Sequence, residues 1–328
     1  MRLHFRLATL ISLVTLTSIP MAAVDAPLKV AVTPWIGDLG AAVAAEQGLW
    51  KKQGIEVQLV NYQGDEDFRA AIRGGVVDFC FDMTAMSVEM IRGNTDLVLY
   101  GETDWSNGGD KIVVKGVTAK DLIGGKVGIY DEGSAVNMVL DTWLKREGVD
   151  PAKVERQFLE TGQLTDAFIA GKLKAILNYD PQAGRAVKDG GGQVAATTAD
   201  FPGIMPEGIA GKRGIAPERL QKFFTGLLQG VAFMKDPANA SAVAAAANAQ
   251  LFSAEPQKPE EIAEQMASVK FHGPKEIMER NGQGEAGLNA FVEQVQVWSL
   301  AHGQTKVDMS DHIDTTALVA AAKALAGK

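Results

Sequence analysis

Short apolar runs alternate with longer helical patterns from residue 28 onward, and this alternation constrains the fold more than any other feature. The run LKVAVTP (28–34) is typical of a buried strand, and DLGAAVAAEQGLWKKQG (38–54) of a helix that ends at a glycine. The order then repeats, with strands predicted at 55–62, 76–82 and 95–101 and helices at 65–75 and 84–93. Nearly continuous apolar strands separated by helices predict a doubly wound, mostly parallel sheet covered by helices.

The same order begins again near residue 118, which predicts a second α/β unit. Its predicted elements are a short helix and strand within 118–130, strands at 154–160, 174–180 and 192–197, and helices at 133–148, 163–173 and 181–191. The expected crossings between the two units are IVVKG (112–116) and GIMPEGIAGKRG (203–214). From residue 216 onward the pattern is mostly helical.

The first 26 residues, MRLHFRLATLISLVTLTSIPMAAVDA, have the build of a secretory signal peptide. Arg2 and Arg6 precede an apolar stretch at 7–19, and small residues follow at once. The stretch is short for a membrane span, so a cleaved signal peptide is favoured over an N-terminal membrane anchor. The sequence therefore predicts an exported protein.

Charge and cysteine usage narrow the classes of partner and chemistry. The formal net charge is −8, and loss of Arg2 and Arg6 with the signal peptide would take it to about −10. A surface of this sign repels nucleic acid and anionic lipid, so neither is expected as a partner. The single cysteine, Cys80, lies in the strand-like VVDFCFDM and is expected to be buried rather than catalytic.

Polar and aromatic side chains follow several of the predicted strands. Ligands of open parallel sheets bind beyond the carboxyl ends of the strands, which selects the loops PWIGD, DMTAMS, TDWSNGGD, YDEGS and NYDPQ. These loops contain no arginine or lysine, although Lys111 follows one of them directly. The candidate ligand-binding residues that they supply are Trp35, Asp82, Thr84, Asp104, Trp105, Glu132, Ser134, Tyr179 and Asp180.

Most of these residues also have a structural interpretation. Asp82 and Glu132 each stand close to a predicted helix start, where a carboxylate or hydroxyl caps the helix. Asp180 precedes a proline, the pattern of an N-cap followed by proline in the first helical turn. The pair Asp104-Trp105 has no such role, because the following Asn and two Gly residues already supply the turn.

The loop contents predict a ligand that carries positive charge. An indole beside a carboxylate suits a compact cation through cation–π attraction and charge-assisted hydrogen bonds. The helix starts at Thr84 and Ser134 suit an anion, so a zwitterion would use both kinds of group. A bare anion would meet several acids and no cation. This expectation depends on the fold, because only the fold brings the loops together.

The sequence carries no signature of catalysis. It has four histidines (His4, His272, His302 and His312), all outside the candidate loops. It also lacks HExxH, GxSxG, Walker and cysteine-cluster motifs, and GxGxxG is absent from the first strand–helix turn, so a dinucleotide site is not supported. We therefore expect a binding protein without cofactor or metal rather than an enzyme.

Several segments resemble the nitrate/sulfonate/taurine (NMT1/THI5-like) family of periplasmic substrate-binding proteins. Residues 28–62 have the family's strand, cleft loop and E-x-G-x-x-x-x-x-G-I-x-V spacing. FRAAIRGGVVDFCFDMTA (68–85), TAKDLIGGKVGIYDEGS (118–134) and AFIAGKLKAILNYDPQAGRAVKDGG (167–191) match further family segments. The resemblance covers roughly 28–215, and the remainder fits as generic helices.

The resemblance implies a two-lobed periplasmic protein that closes on a small molecule and delivers it to the permease of an ABC importer in the inner membrane. Lobe I is expected to comprise 27–115 with 206–328, and lobe II 116–205; a monomer is expected by default. The candidate residues would then line the cleft, and their acids favour a cationic or zwitterionic nitrogen compound, such as a guanidinium, an amine or taurine. The alternatives are a sulfonate or nitrate carrier, a sensor, and a pyrimidine-synthase-like enzyme on the same fold.

Overall fold

The computed structural model describes residues 26–282 and 287–327. The predicted signal peptide lies outside the described residues except for Ala26. Within the described ranges, none of the helices combines the length and apolar character needed to cross a bilayer.

The described chain folds into strands and helices whose order follows the predicted alternation. The strands are β1 (Leu28–Val32), β2 (Val57–Asn61), β3 (Phe79–Met83), β4 (Leu97–Ser106), β5 (Asp110–Val114), β6 (Lys126–Ile129), β7 (Glu155–Phe158), β8 (Ala175–Tyr179), β9 (Gln193–Thr197), β10 (Pro206–Lys212) and β11 (Val269–Phe271). The helices are α1 (Leu39–Glu46), α2 (Leu49–Lys52), α3 (Asp65–Arg73), α4 (Thr84–Arg92), α5 (Ser134–Arg146), α6 (Thr161–Ile169), α7 (Gln182–Gly190), α8 (Pro217–Met234), α9 (Ala240–Gln250), α10 (Pro259–Ala267), α11 (Pro274–Asn281), α12 (Leu288–Ala301) and α13 (Thr316–Ala326).

The strands form two separate sheets, which confirms the predicted two-unit α/β fold. The first sheet has the order β11-β4-β10-β3-β1-β2 and the second the order β7-β6-β8-β5-β9. In the first sheet β1 is parallel to β2 and β3, and in the second β6 is parallel to β7 and β8. In the first sheet β4 and β10, and in the second sheet β5, run antiparallel to both of their neighbours, so the sheets are mixed rather than mostly parallel.

The two predicted crossings are strands, and this moves one unit boundary. β5 pairs with β8 and β9, so the chain enters the second sheet between Ser106 and Asp110 rather than after residue 115. It returns between β9 and β10. The segment PEGIAGK has the composition of a loop but forms the buried strand β10. Its small residues are explained by close packing, because a Cβ at Gly208 would overlap the carbonyl oxygen of Gly101.

The first part of the predicted loop TDWSNGGD (103–110) is also a strand. β4 continues through Asp104 and Trp105, which pair with β10 on one side and with β11 on the other. Ladder hydrogen bonds to two neighbours outweigh the local turn signal, which depended on the glycines that follow. The turn itself is confined to residues 107–109, where Gly108 has a φ of +114°.

Candidate functional site

A small cavity of about 60 Å³ lies between the two sheets. The first sheet and its helices contribute Thr33, Trp35, Asp38, Phe68, Arg69, Phe81, Asp82, Met83 and Glu207. The second unit contributes Asp110, Tyr130, Asp131 and Tyr179. The lining therefore combines five carboxylates, one guanidinium and several aromatic rings.

Strand direction explains why these residues meet. The parallel strands β1, β3, β6 and β8 all end at the cavity, as ligand sites of α/β sheets require. The antiparallel β5 and β10 begin at the same edge, and so they place Asp110 and Glu207 there. Helix α3 completes the wall with Phe68 and Arg69.

The carboxylates are buried and are held by hydrogen bonds from the cavity's own groups. Glu207, only 7% exposed, accepts a 2.6 Å hydrogen bond at Oε2 from the indole Nε1–H of Trp35. Asp110 accepts a 2.6 Å bond at Oδ1 from the hydroxyl of Tyr130. Asp38, 2% exposed, accepts a 3.1 Å bond from the backbone N–H of Thr33. These contacts fix the acids in place but neutralise none of them.

The local electrostatics favour protonated carboxyl groups or a bound cation. Burial raises the pKa of Glu207 well above its usual value, and the neighbouring Asp104 and Asp38 raise it further. Burial likewise raises the pKa of Asp38 well above its usual value, and that of Asp110 is raised despite hydrogen bonds from Ser106 and Tyr130. Because these shifts come from desolvation and like charge, a cation in the cavity would relieve both.

Three aromatic rings form perpendicular pairs along the cavity. Trp35 and Tyr179 are 5.5 Å apart between ring centroids at 82°, and Tyr130 and Tyr179 are 4.9 Å apart at 78°. Edge-to-face pairs of this kind direct π faces in different directions. The faces suit attraction of a cation beside the carboxylates.

Arg69 is the cation in the lining that the loop sequences did not reveal. It belongs to α3 and forms an ion pair with Asp131, which follows β6 in the second unit. Asp131 also accepts a 2.6 Å hydrogen bond from the backbone N–H of Gly133. The ion pair therefore joins the two units at the cavity, and its positive charge is already engaged.

Three of the nine residues predicted for the site line the cavity, namely Trp35, Asp82 and Tyr179. Asp104 lies directly behind it: its β-ladder partner is Glu207, and one carboxyl oxygen accepts a 2.9 Å bond from the Thr103 hydroxyl. Burial raises the pKa of Asp104 to about 7. Asp104 thus acts on the cavity through its charge rather than as part of the wall.

Trp105 lies outside the cavity and its ring already contacts cations of the protein. Lys270 Nζ lies 4.5 Å from the ring centroid and Arg280 Cζ 5.2 Å from it. The edge-to-face contact with His272 has a centroid distance of 5.2 Å. Alternate residues of a strand point to opposite faces, so Asp104 and Trp105 cannot both face one ligand. The prediction that Asp104 and Trp105 together form one pocket assumed a loop, and it does not hold for a strand.

The remaining predicted residues stand apart from the cavity lining, and one of them holds a helix end. Asp180 forms an ion pair with Lys111 and accepts a 3.0 Å bond from the backbone N–H of Gly184 in α7. Thr84 and Ser134 are the buried first residues of α4 and α5, but neither side chain caps its helix; the backbone N–H of Ser134 donates a 2.6 Å bond to Glu89. Glu132 is exposed. The helix-start interpretation therefore describes Asp180 better than the cleft interpretation does.

The principal residues missed in the sequence are Asp38, Arg69, Asp110, Tyr130, Asp131 and Glu207. Four of them stand in or at the ends of loops that were selected, so proximity to the chosen residues was a usable signal. The sequence did not indicate Glu207, because the segment that forms β10 was predicted to be a crossing between the two units. Arg69 projects from the middle of a helix, where no local pattern marks it.

The described residues contain no group of three or more histidine, cysteine, aspartate or glutamate side chains arranged to hold a metal ion. The acids of the cavity are instead paired with indole, phenol and backbone donors.

Comparison with solved structures finds the same fold in several proteins. The ligand-binding component of an ABC-type import system from Staphylococcus aureus, with zinc bound, has a TM-score of 0.73 and 11% identity, covering 90% of this chain and 98% of that chain. The alkanesulfonate-binding protein SsuA from Xanthomonas axonopodis pv. citri, bound to MOPS, has a TM-score of 0.69 and 15% identity, covering 89% and 99%. The periplasmic nitrate-binding protein NrtA from Synechocystis PCC 6803 has a TM-score of 0.72 and 13% identity, covering 91% and 89%.

Comparison with curated proteins finds no significant match. A family model, in contrast, matches residues 22–248, which is more than half of the chain. The match includes the strands and loops that build the cavity up to β10, and it confirms the family resemblance of the sequence. The chain belongs to the NMT1-like family.

Proposed function

We propose that this protein is the extracytoplasmic solute-binding protein of an ABC importer and that it binds a small cationic or zwitterionic nitrogen compound between its two units. Family membership and the fold shared with import-system binding proteins support the transport role. The predicted signal peptide would export the chain to the periplasm, where it would meet the permease of the inner membrane.

The observation that carries the ligand class is the acidic cavity. Five lining carboxylates face one arginine, and that arginine is already paired with Asp131. Buried carboxylates without a counter-charge are costly, and a cation that reaches several of them recovers much of this cost. We assign Trp35, Asp38, Asp82, Asp110, Tyr179 and Glu207 as the residues that contact it.

Closure of the two units on the ligand follows from the same lining. Because both units contribute side chains, a ligand in the cavity contacts both and favours the closed arrangement. The Arg69–Asp131 ion pair and the bond from Ser134 to Glu89 cross between the units and would break on opening. The permease would then recognise the closed surface.

An anion is the second candidate, because Arg69 faces the cavity. Nitrate or a sulfonate would need to displace Asp131 from this arginine while adding negative charge beside Asp38, Asp82 and Glu207. Coulomb repulsion in a buried site opposes that exchange. The described geometry therefore favours the cation.

A thermal-shift screen of the mature protein tests the proposal. The compounds are guanidinium, small amines, taurine, nitrate and ethanesulfonate, each at equal ionic strength. A cation or zwitterion should raise the melting temperature by mass action. Glu207→Gln should reduce the shift, whereas the exposed Glu264→Gln on α10 should preserve it. A screen without any shift would overturn the binding function, and an unchanged shift in Glu207→Gln would overturn the assignment of the site.

A further inference from the structure

Three hydrogen-bond donors of the cavity are directed at its own carboxylates. The indole N–H of Trp35 is engaged by Glu207, the hydroxyl of Tyr130 by Asp110, and the guanidinium of Arg69 by Asp131. The carboxylate oxygens each have more than one lone pair, so they can accept further hydrogen bonds. With its acids ionised, the cavity is therefore rich in acceptors, and it suits a ligand that consists mainly of N–H groups.

The size of the cavity is a second consideration. At about 60 Å³ the cavity is small, which favours a compact ligand over a larger one. A guanidinium ion is more compact than taurine, which also carries sulfonate oxygens that need donors.

The walls set a third limit, on shape. The faces of Trp35, Tyr130 and Tyr179 are nearly perpendicular within each neighbouring pair. A planar cation can lie against one π face while its edge N–H groups reach carboxylates beside that face. A spherical ammonium ion has the charge but presents no flat face and fewer diverging donors.

We propose that the ligand is a small, planar, guanidinium-type cation, recognised by its N–H edge against Asp38, Asp110 and Glu207 and by its face against the aromatic rings. The proposal rests on the solute-binding function proposed above and narrows it to one substrate class. The proposal excludes the zwitterionic aminosulfonate that the cavity's charge alone would still admit.

Three planar molecules of nearly equal size allow the effect of ligand charge on affinity to be separated from the effect of ligand shape. Guanidinium, urea and nitrate each have a trigonal centre with three substituents and carry charges of +1, 0 and −1. Isothermal titration of the mature protein should give one site for guanidinium and at least tenfold weaker binding of urea, nitrate, methylammonium and taurine. Methylguanidinium should bind within tenfold of guanidinium, because it keeps the planar charged group and adds only one methyl group.

The Glu207→Gln variant provides a test whose expected result cannot come from unfolding, because the affinities of two ligands are compared on the same protein. The glutamine oxygen still accepts the indole N–H of Trp35, and the new NH₂ group places a donor in the cavity. The ratio of guanidinium to urea affinity should fall at least tenfold in this variant and remain unchanged in Glu264→Gln. Tighter binding of taurine, nitrate or methylammonium than of guanidinium would overturn the substrate class but leave the solute-binding function standing. An absence of binding by every compound would overturn both.

Discussion

Replacing Asp104 with asparagine should remove a pH-dependent loss of stability. Burial is the main cause that raises the pKa of Asp104 from 3.8 to about 7; the Thr103 hydroxyl bond opposes this rise, and the charge of Glu102 adds to it. The folded protein therefore keeps this proton to a higher pH than the unfolded chain does. Stability is lost as the pH rises from about 4 to about 7, and the loss is complete above that range. The size of the pKa change corresponds to about 4 kcal/mol.

The assay compares wild type with Asp104→Asn by urea unfolding at pH 4 and pH 8. Urea is the suitable denaturant because the guanidinium ion is the proposed ligand. The amide cannot ionise, and its oxygen can still accept the Thr103 hydroxyl. The variant should match wild type at pH 4 and exceed its free energy of unfolding by up to about 4 kcal/mol at pH 8.

The exposed Asp311→Asn serves as the control and should differ from wild type by less than about 0.5 kcal/mol at both pH values. Groups that do not interact with Asp104 titrate alike in both proteins and cancel in the difference, whereas Glu207 and Asp38, whose pKa values Asp104 raises, are relieved of that charge in the variant and contribute in the same direction. An equal difference between Asp104→Asn and wild type at the two pH values would refute the assigned burial effect.

Three further outcomes follow from the cavity. Guanidinium affinity should rise as the pH rises above the usual carboxylate range, by up to about tenfold per pH unit for each proton displaced from the carboxylates, because the pKa values of Asp38, Asp110 and Glu207 are raised; calorimetry that shows a pH-independent affinity would contradict this. Gly109→Ala should weaken binding at least tenfold, since its Cβ would lie 3.0 Å from Cζ3 of Trp35, while Gly162→Ala, which meets open space, should bind normally. Arg69→Met should destabilise the protein by about 2 kcal/mol in urea unfolding because its buried aspartate partner loses its counter-charge. The exposed Arg73→Met on the same helix should have little effect, and equal losses in both variants would exclude a special role for the ion pair.

The order of elements was predictable because hydrophobic periodicity is local. Strands such as β1 and β8 and helices such as α4 and α5 lie where the sequence predicts them to within a few residues. β10 was not predictable in this way, since its glycines and alanine look like a loop until the close approach of Gly101 is known. The helix α1 ends earlier than predicted because Gly48 adopts a left-handed φ of +61°.

The acidic and aromatic character of the site was predictable, but the identity of the residues that line it was only partly predictable. Trp35, Asp82 and Tyr179 follow parallel strands, and the rule of carboxyl ends identifies them. Glu207 enters from an antiparallel strand, to which that rule does not apply. Trp105 was misplaced because the direction of a side chain depends on whether its segment is a loop or a strand.

A crystal structure of the mature protein with guanidinium, at a concentration that saturates the calorimetric site, tests the central claim most directly. We expect a planar ligand in the cavity between the two sheets, with its N–H groups on Asp38 or Glu207 and its face toward Trp35 or Tyr179. A ligand bound elsewhere, such as beside Trp105, with only water in the cavity, would contradict the assignment.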